Sequence, residues 1–265
     1  MREKLKKNIK ESAENSFLSL HVAKQISSEF EVDLRYVEEV ALKMGITPLR
    51  YKRNQNTISP SSQLKLLNSS VAIIGCGGLG GHIAENLARI GVGEILLFDF
   101  DLFEEHNINR QNFSSFDVIG REKAVVVKEN LEKINPTLHV EAFVQEFLPQ
   151  RDFQIVKRCD VIIDALDTPK TKLELAKICK DYSNNFVHGA IAGFCGQFCT
   201  NTTLEKLYKN GEKGAEVYVG NPSFSVTFAA SIQSCETVKL LLNIKEPLDK
   251  QILMTNLMEN EFILL

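Results

Sequence analysis

Val71-Ala-Ile-Ile-Gly75-Cys-Gly-Gly-Leu-Gly80-Gly81 is the stretch that decides the fold. Its first four residues are a short, wholly apolar run closed by glycine, which suits a parallel strand buried on both faces. His82 to Ile90 then carries apolar residues at helical spacing. A GxGxxG pattern between a strand and a helix predicts a phosphate cradle. The glycines let the main chain approach a phosphate, and the helix N-terminus offers free N–H groups and a positive dipole. Gly75, Gly77, Gly78 and Gly80 are therefore candidate nucleotide contacts. Taken alone, the loop does not separate a mononucleotide from a dinucleotide.

Working downstream, Glu94 to Phe98 reads as a second buried strand, and Asp99 stands at its end, where a carboxylate can accept from ribose hydroxyls. Asp101, Asn107, Arg110 and Gln111 follow, and Lys123 opens the next helix. A nicotinamide site leaves pyrophosphate neutralisation mainly to the backbone and needs an apolar hydride pocket. Two cations beside several carboxylates suit a triphosphate with magnesium instead, where charge must be stabilised as pyrophosphate leaves.

The remaining pattern alternates. Helices are predicted over Glu122 to Ile134, Lys172 to Tyr182 and Ser225 to Leu242. Strands are predicted over Leu138 to Phe143, Val161 to Ala165, Phe186 to Ala192 and Gln197 to Thr202, with a terminal hairpin over Gln251 to Leu265. Such alternation predicts an α/β fold, a Rossmann-like, mostly parallel sheet with helices on both faces.

Working upstream, residues 1–49 read as a small helical module with two helices, Ser19 to Phe30 and Asp33 to Met44, the second capped by Asp33 and stopped at Gly45. The layout has the outline of a helix-turn-helix, but Asp33, Glu38 and Glu39 offset Arg35 and Lys43, so docking or support of a dimer is the expected role rather than DNA reading. Thr47-Pro48 and the polar run Asn54 to Ser62 read as connecting segments, and residues 50–265 as the nucleotide-binding domain.

Composition narrows the classes. Hydrophobic residues make up 44% and charged residues 25%, which is globular. A formal net charge of −3 gives no basic field for nucleic acid. No apolar run is long enough to span a membrane, and Met-Arg-Glu-Lys-Leu-Lys-Lys lacks the apolar centre of a signal peptide, so a cytoplasmic location is expected. Cys76, Cys159, Cys179, Cys195, Cys199 and Cys235 form no CxxC pair, so no zinc is expected and each is read as a small buried hydrophobe.

These motifs together resemble the ThiF/MoeB/HesA family, bacterial relatives of ubiquitin-activating enzymes. The residues that carry the resemblance are Arg50-Tyr-Lys-Arg53, the glycine loop, Asp99-Phe-Asp101, Asn107-Ile-Asn-Arg-Gln111, Gly120-x-x-Lys123, Ile134-Asn-Pro136, Asp164-x-x-Asp167 and His188-Gly-Ala190. The resemblance implies an adenylyltransferase that uses ATP and magnesium to activate the C-terminal glycine carboxylate of a ubiquitin-like sulfur carrier with a diglycine end. It implies that the glycine loop and Asp99 hold the nucleotide, that Arg110, Gln111 and Lys123 face the phosphates, and that Asn107 fixes the geometry beside them. Asp167 would hold magnesium, and Arg53 would cross from the other protomer of a homodimer. Two features of many members are missing: the paired zinc cysteines, and a cysteine in the stretch Gly214 to Pro222, so a thioester step there is not expected. Activation of a small-molecule or tRNA carboxylate, as in the threonylcarbamoyladenosine dehydratases, and a non-catalytic nucleotide-binding module remain the alternatives.

Overall fold

The computed structural model describes residues 1–202, 204–205, 207–208, 216–244, 248 and 251–265. Contrary to the expectation of two N-terminal helices, there are three: α1 (Arg2–Ser12), α2 (Leu20–Phe30) and α3 (Leu34–Lys43). The lysine-rich α1 buries only Leu5 and Ile9, which lie one turn apart on one face. Those two pack with Ile26, Val37 and Val40 into a small core of their own. Two short strands, β1 (Phe17–Leu18) and β2 (Thr47–Pro48), pair in parallel and close this layer. Ser19 and Asp33 cap α2 and α3 by accepting from Val22 N and Arg35 N.

The layer is held to the rest by two arginines. Arg35 donates to the main-chain oxygens of Gly93 and Leu67 at 2.6 and 2.5 Å. Arg50 makes a two-pronged pair with buried Glu38, both contacts at 2.6 Å, and reaches Thr137 Oγ1 at 2.9 Å. Such bidentate, charge-assisted bonds fix geometry as well as adding energy. The segment Asn54 to Ser62 is only partly a connector. Ser59 caps and Pro60 opens a further helix, α4 (Pro60–Leu67), which buries Leu66 and Leu67.

From Ser70 the chain builds an eight-stranded sheet. Its parallel part comprises β3 (Ser70–Ile74), β4 (Glu94–Phe98), β5 (His139–Phe143), β6 (Val161–Asp164) and β7 (Asn185–Ala192). The antiparallel part comprises β8 (Cys195–Thr200), β9 (Leu253–Asn256) and β10 (Glu261–Leu264), so the expected terminal hairpin is present. The connecting helices are α5 (Gly78–Ile90), α6 (Lys123–Ile134), α7 (Pro149–Val156), α8 (Pro169–Asp181), α9 (Glu216–Val219) and α10 (Ser223–Leu242). The strand order is β10-β9-β8-β7-β6-β3-β4-β5.

Strand periodicity fills both faces. On β3, Val71 and Ile73 point to the layer of α5, α6 and α10, while Ala72 and Ile74 point to the layer of α7 and α8. Four of the six cysteines fit the expected burial. Cys195 and Cys235 do not: both are exposed, because β8 begins at the surface and Cys235 faces outward on α10. From β3 the chain winds outward to β4 and β5, then crosses back to place β6 on the other side of β3. The loops that leave β3 and β6 therefore part from each other, and α/β sheets bind ligands at such a switch point.

Candidate active site

A cleft of about 380 Å³ opens at the carboxyl ends of β3, β4, β6 and β7, lined by the loops after β3 and β6. That volume lies in the range of small-ligand sites. Gly75 and Ala165 bring the two loops into contact. Gly75 has φ +101°, and a Cβ there would lie 2.5 Å from the Ala165 oxygen, so only glycine fits. Gly77 and Gly78 line the cleft at the start of α5.

Asp99 stands at the end of β4. Its Oδ2 accepts from Cys76 N at 2.6 Å and its Oδ1 from Asp101 N at 2.8 Å, so it ties the glycine loop to the strand while lining the cleft. Burial pushes its carboxyl up from the ordinary value, against the pull of those two amides. Lys123 is buried at the start of α6, with Nζ 2.9 Å from Asp101 Oδ2. Arg110 holds His106 O and Asn109 Oδ1 at 3.1 and 2.8 Å. Gln111 is buried against the glycine loop, and its Oε1 has no partner among the described residues. Asp167 is exposed at the rim and accepts from Thr168 Oγ1 at 3.0 Å. Arg110, Gln111, Lys123, Asp99, Asp101 and Asp167 thus share one cleft, although they come from four separate loops and helix starts.

Three candidate residues do not line it. Gly80 lies inside α5, where a Cβ would fall 1.8 Å from the Gly75 oxygen, so it acts by letting the helix close on the loop. Asn107 is buried and builds the turn that presents Arg110 and Gln111. Its Oδ1 accepts from Glu104 N at 3.0 Å, and its main-chain oxygen accepts from the amides of both those residues. Arg53 is exposed on the 3-10 turn Leu49–Asn54, away from the cleft of its own chain. Of the stretch Gly214 to Pro222, Gly214 and Ala215 lie outside the described residues.

The sequence reading assigns no role to several residues that also form the cleft. Gln145, Glu146 and Phe147 after β5 line its outer end, and Asn221 before α10 lines the opposite side. Lys172 also lines it, and pairs with Asp164 and through it with His188 in a buried polar cluster. No spacing rule links residues on β6, α8 and β7; only the strand order brings them together.

The model of the ThiF family matches residues 51–264. The SAMP-activating enzyme E1 of Haloferax volcanii is 31% identical over 234 residues, which is 84% of this chain and 87% of that enzyme. The sulfur carrier protein ThiS adenylyltransferase of Escherichia coli is 33% identical over 75% of this chain and 83% of its own length. Several longer curated relatives are spanned over about half their length. Among solved structures, Escherichia coli MccB with ATP superposes with a TM-score of 0.71 at 22% identity, covering 91% of this chain and 78% of that one, a likeness of fold. With the family model covering the whole sheet and cleft, the chain belongs to the ThiF family.

Proposed function

We propose that the cleft binds ATP and that the protein adenylates the C-terminal glycine carboxylate of a ubiquitin-like sulfur carrier. The observation that carries this reading is the meeting of the glycine loop and Asp99 with Arg110, Gln111, Lys123 and Asp167 at one switch point. The relatives named as a SAMP-activating enzyme E1 and as a sulfur carrier protein ThiS adenylyltransferase are each matched over most of their own length, which supports the same reaction.

The chemistry asks little of the protein beyond position and charge. A carboxylate oxygen bonds to the α-phosphorus while the bond to the bridging oxygen of the β-phosphate breaks, and pyrophosphate leaves with the electron pair. The nucleophile is already ionised near neutral pH, so no general base is needed. Gly75, Gly77 and Gly78 supply close backbone approach, Asp99 the ribose contact, and Arg110 and Lys123 cover charge that grows on the phosphates. Lys123 is held by Asp101 and can turn toward phosphate by exchanging that partner. The unpaired Gln111 Oε1 and the exposed Asp167 carboxylate are oxygen donors of the type that suits a hard cation or its waters. Asp167 would hold magnesium, which when bound neutralises the departing pyrophosphate. In this reading residues 1–49 form a docking module on a catalytic domain of residues 50–265, and Arg53 serves the neighbouring site of a homodimer.

Pyrophosphate exchange into ATP tests the reading. Exchange that depends on a diglycine-ended carrier supports it; exchange with no carrier points to a small carboxylate, and ATP binding without exchange to a non-catalytic module.

A further inference from the structure

Asp164, Lys172 and His188 are 0%, 3% and 0% exposed, so three ionisable groups are buried together, and Lys172 also lines the cleft. Asp164 ends β6. Its two carboxylate oxygens lie 3.2 and 3.1 Å from Lys172 Nζ, and its Oδ2 lies 2.6 Å from His188 Nδ1. Its Oδ1 also accepts from the amide of Leu166 at 3.0 Å. Leu166 stands directly before Asp167, and Lys172 returns to the carboxylate from the first turn of α8.

An unpaired buried carboxylate would take up a proton. A neutral carboxyl accepts a hydrogen bond about half as strongly as an ionised one. The hold on Leu166 therefore depends on a counter-charge within contact. Lys172 supplies it. Burial, assisted by the charge of Lys172, keeps His188 below the ordinary histidine value although Asp164 opposes this. Two thiols and a phenol also face the cluster among the described residues. The thiols of Cys179 on α8 and Cys199 on β8 are pushed up to about 12 by burial, and the Tyr208 hydroxyl lies 3.4 Å from His188 Nε2. From α10, Gln233 donates its amide to Asp164 O.

We propose that Lys172 is a positioning residue: it keeps Asp164 ionised, and Asp164, through the Leu166 amide, fixes the loop that carries Asp167. Only the consequence for turnover rests on the adenylation reading.

The test compares Lys172→Met with wild type at pH 8 and pH 6. Three quantities are read: hydrogen exchange of the Leu166 amide corrected for intrinsic rate, the protonation of Asp164 by NMR of its carboxyl carbon, and carrier-dependent pyrophosphate exchange. In Lys172→Met at pH 8, protection at Leu166 falls and turnover drops by about a hundredfold, as a misplaced reacting geometry costs. At pH 6 the deficit is unchanged, because the proton that Asp164 takes up in the variant is already in place at pH 8. Lys172→Arg, which keeps the charge, retains protection. If Lys172→Met does not fold, Lys172→Gln replaces it in the same comparison. Wild-type protection at Leu166 without Lys172, or an Asp164 carboxyl that stays ionised in Lys172→Met, overturns the proposal. Wild-type protein with no pyrophosphate exchange, but with the Leu166 amide and the Asp164 carboxyl behaving as described, overturns the adenylation reading and leaves the positioning role standing.

Discussion

Replacing Gly80 by alanine separates a glycine that touches nucleotide from one that lets the loop close. The added Cβ would lie 1.8 Å from the Gly75 oxygen and 2.8 Å from its carbonyl carbon, both main-chain atoms, and 3.4 Å from Ala165 Cβ. Real Cβ atoms keep at least 3.0 Å from such neighbours, so α5 and the glycine loop must part by about 1.2 Å. Overpacking of this kind costs about 1–3 kcal/mol. Alanine in a helix interior returns up to about 1 kcal/mol relative to glycine. The net loss of stability is therefore about 0–2 kcal/mol, and the fold survives. Function suffers more, because a shift of about 1 Å in a phosphate cradle costs on the order of a hundredfold in rate. The assay is thermal unfolding with and without ATP, alongside pyrophosphate exchange. Gly80→Ala should melt within a few degrees of wild type, lose most of its ATP-dependent shift, and turn over about a hundredfold more slowly. A variant with the wild-type ATP shift and rate would refute the claim that α5 must close on Gly75.

Asp167→Ala should abolish exchange at saturating ATP and magnesium while leaving the melting curve unchanged, and wild-type exchange would sink its assigned role. Arg110→Ala and Lys123→Ala should each lower turnover by about a hundredfold or more, as losses of charge-stabilising groups do; a rise in the ATP KM alone would make them ground-state binders. Inactive Arg53→Ala and Asp167→Ala chains, mixed and allowed to exchange subunits, should regain about a quarter of wild-type activity, since about half the dimers are mixed and each has one intact site. No recovery despite exchange would place Arg53 in its own chain's site. The pH dependence of stability has a fixed sign. His188 is held below its ordinary value in the fold, so the unfolded chain binds more protons there, and stability falls as pH drops through about 6.5. Asp164 is held low as well, against its own desolvation, by Lys172 and His188, adding a second loss below about 3.9. Denaturant melts of wild type and His188→Asn from pH 8 to pH 5 check the first step, which the variant should lack.

Much of the fold was legible because the signals are local. The apolar run before Gly75, the glycines and the helical spacing after them all lie within twenty residues; β3, β4 and β6 announce themselves as buried apolar runs, and β5 by its alternation. Short helices were harder. α1 shows only Leu5 and Ile9 among lysines, and α4 and α7 each span 8 residues opened by a proline, too short for a period to stand out. In the cleft, Asp99, Arg110, Gln111, Lys123 and Asp167 could be read because their motifs are contiguous. The motif did not reveal how each acts: Gly80 and Asn107 shape the main chain one step from the cleft. Lys172 and His188 stayed out of reach because their meaning depends on β6 and β7 being neighbours, a tertiary fact. The outward-facing Cys195 and Cys235 were misread because burial averages for cysteine say nothing of a strand end or an outer helix face.

The central claim is adenylyl transfer to a protein carboxylate. Incubating the enzyme and a diglycine-ended carrier with ATP labelled at the α-phosphate or at the γ-phosphate, then resolving the carrier under conditions that preserve acyl phosphates, tests it most directly. The account predicts label on the carrier from the α-position only, released by hydroxylamine and absent when the terminal glycine is removed. Label from the γ-position, or none from either while ATP still binds, would contradict it.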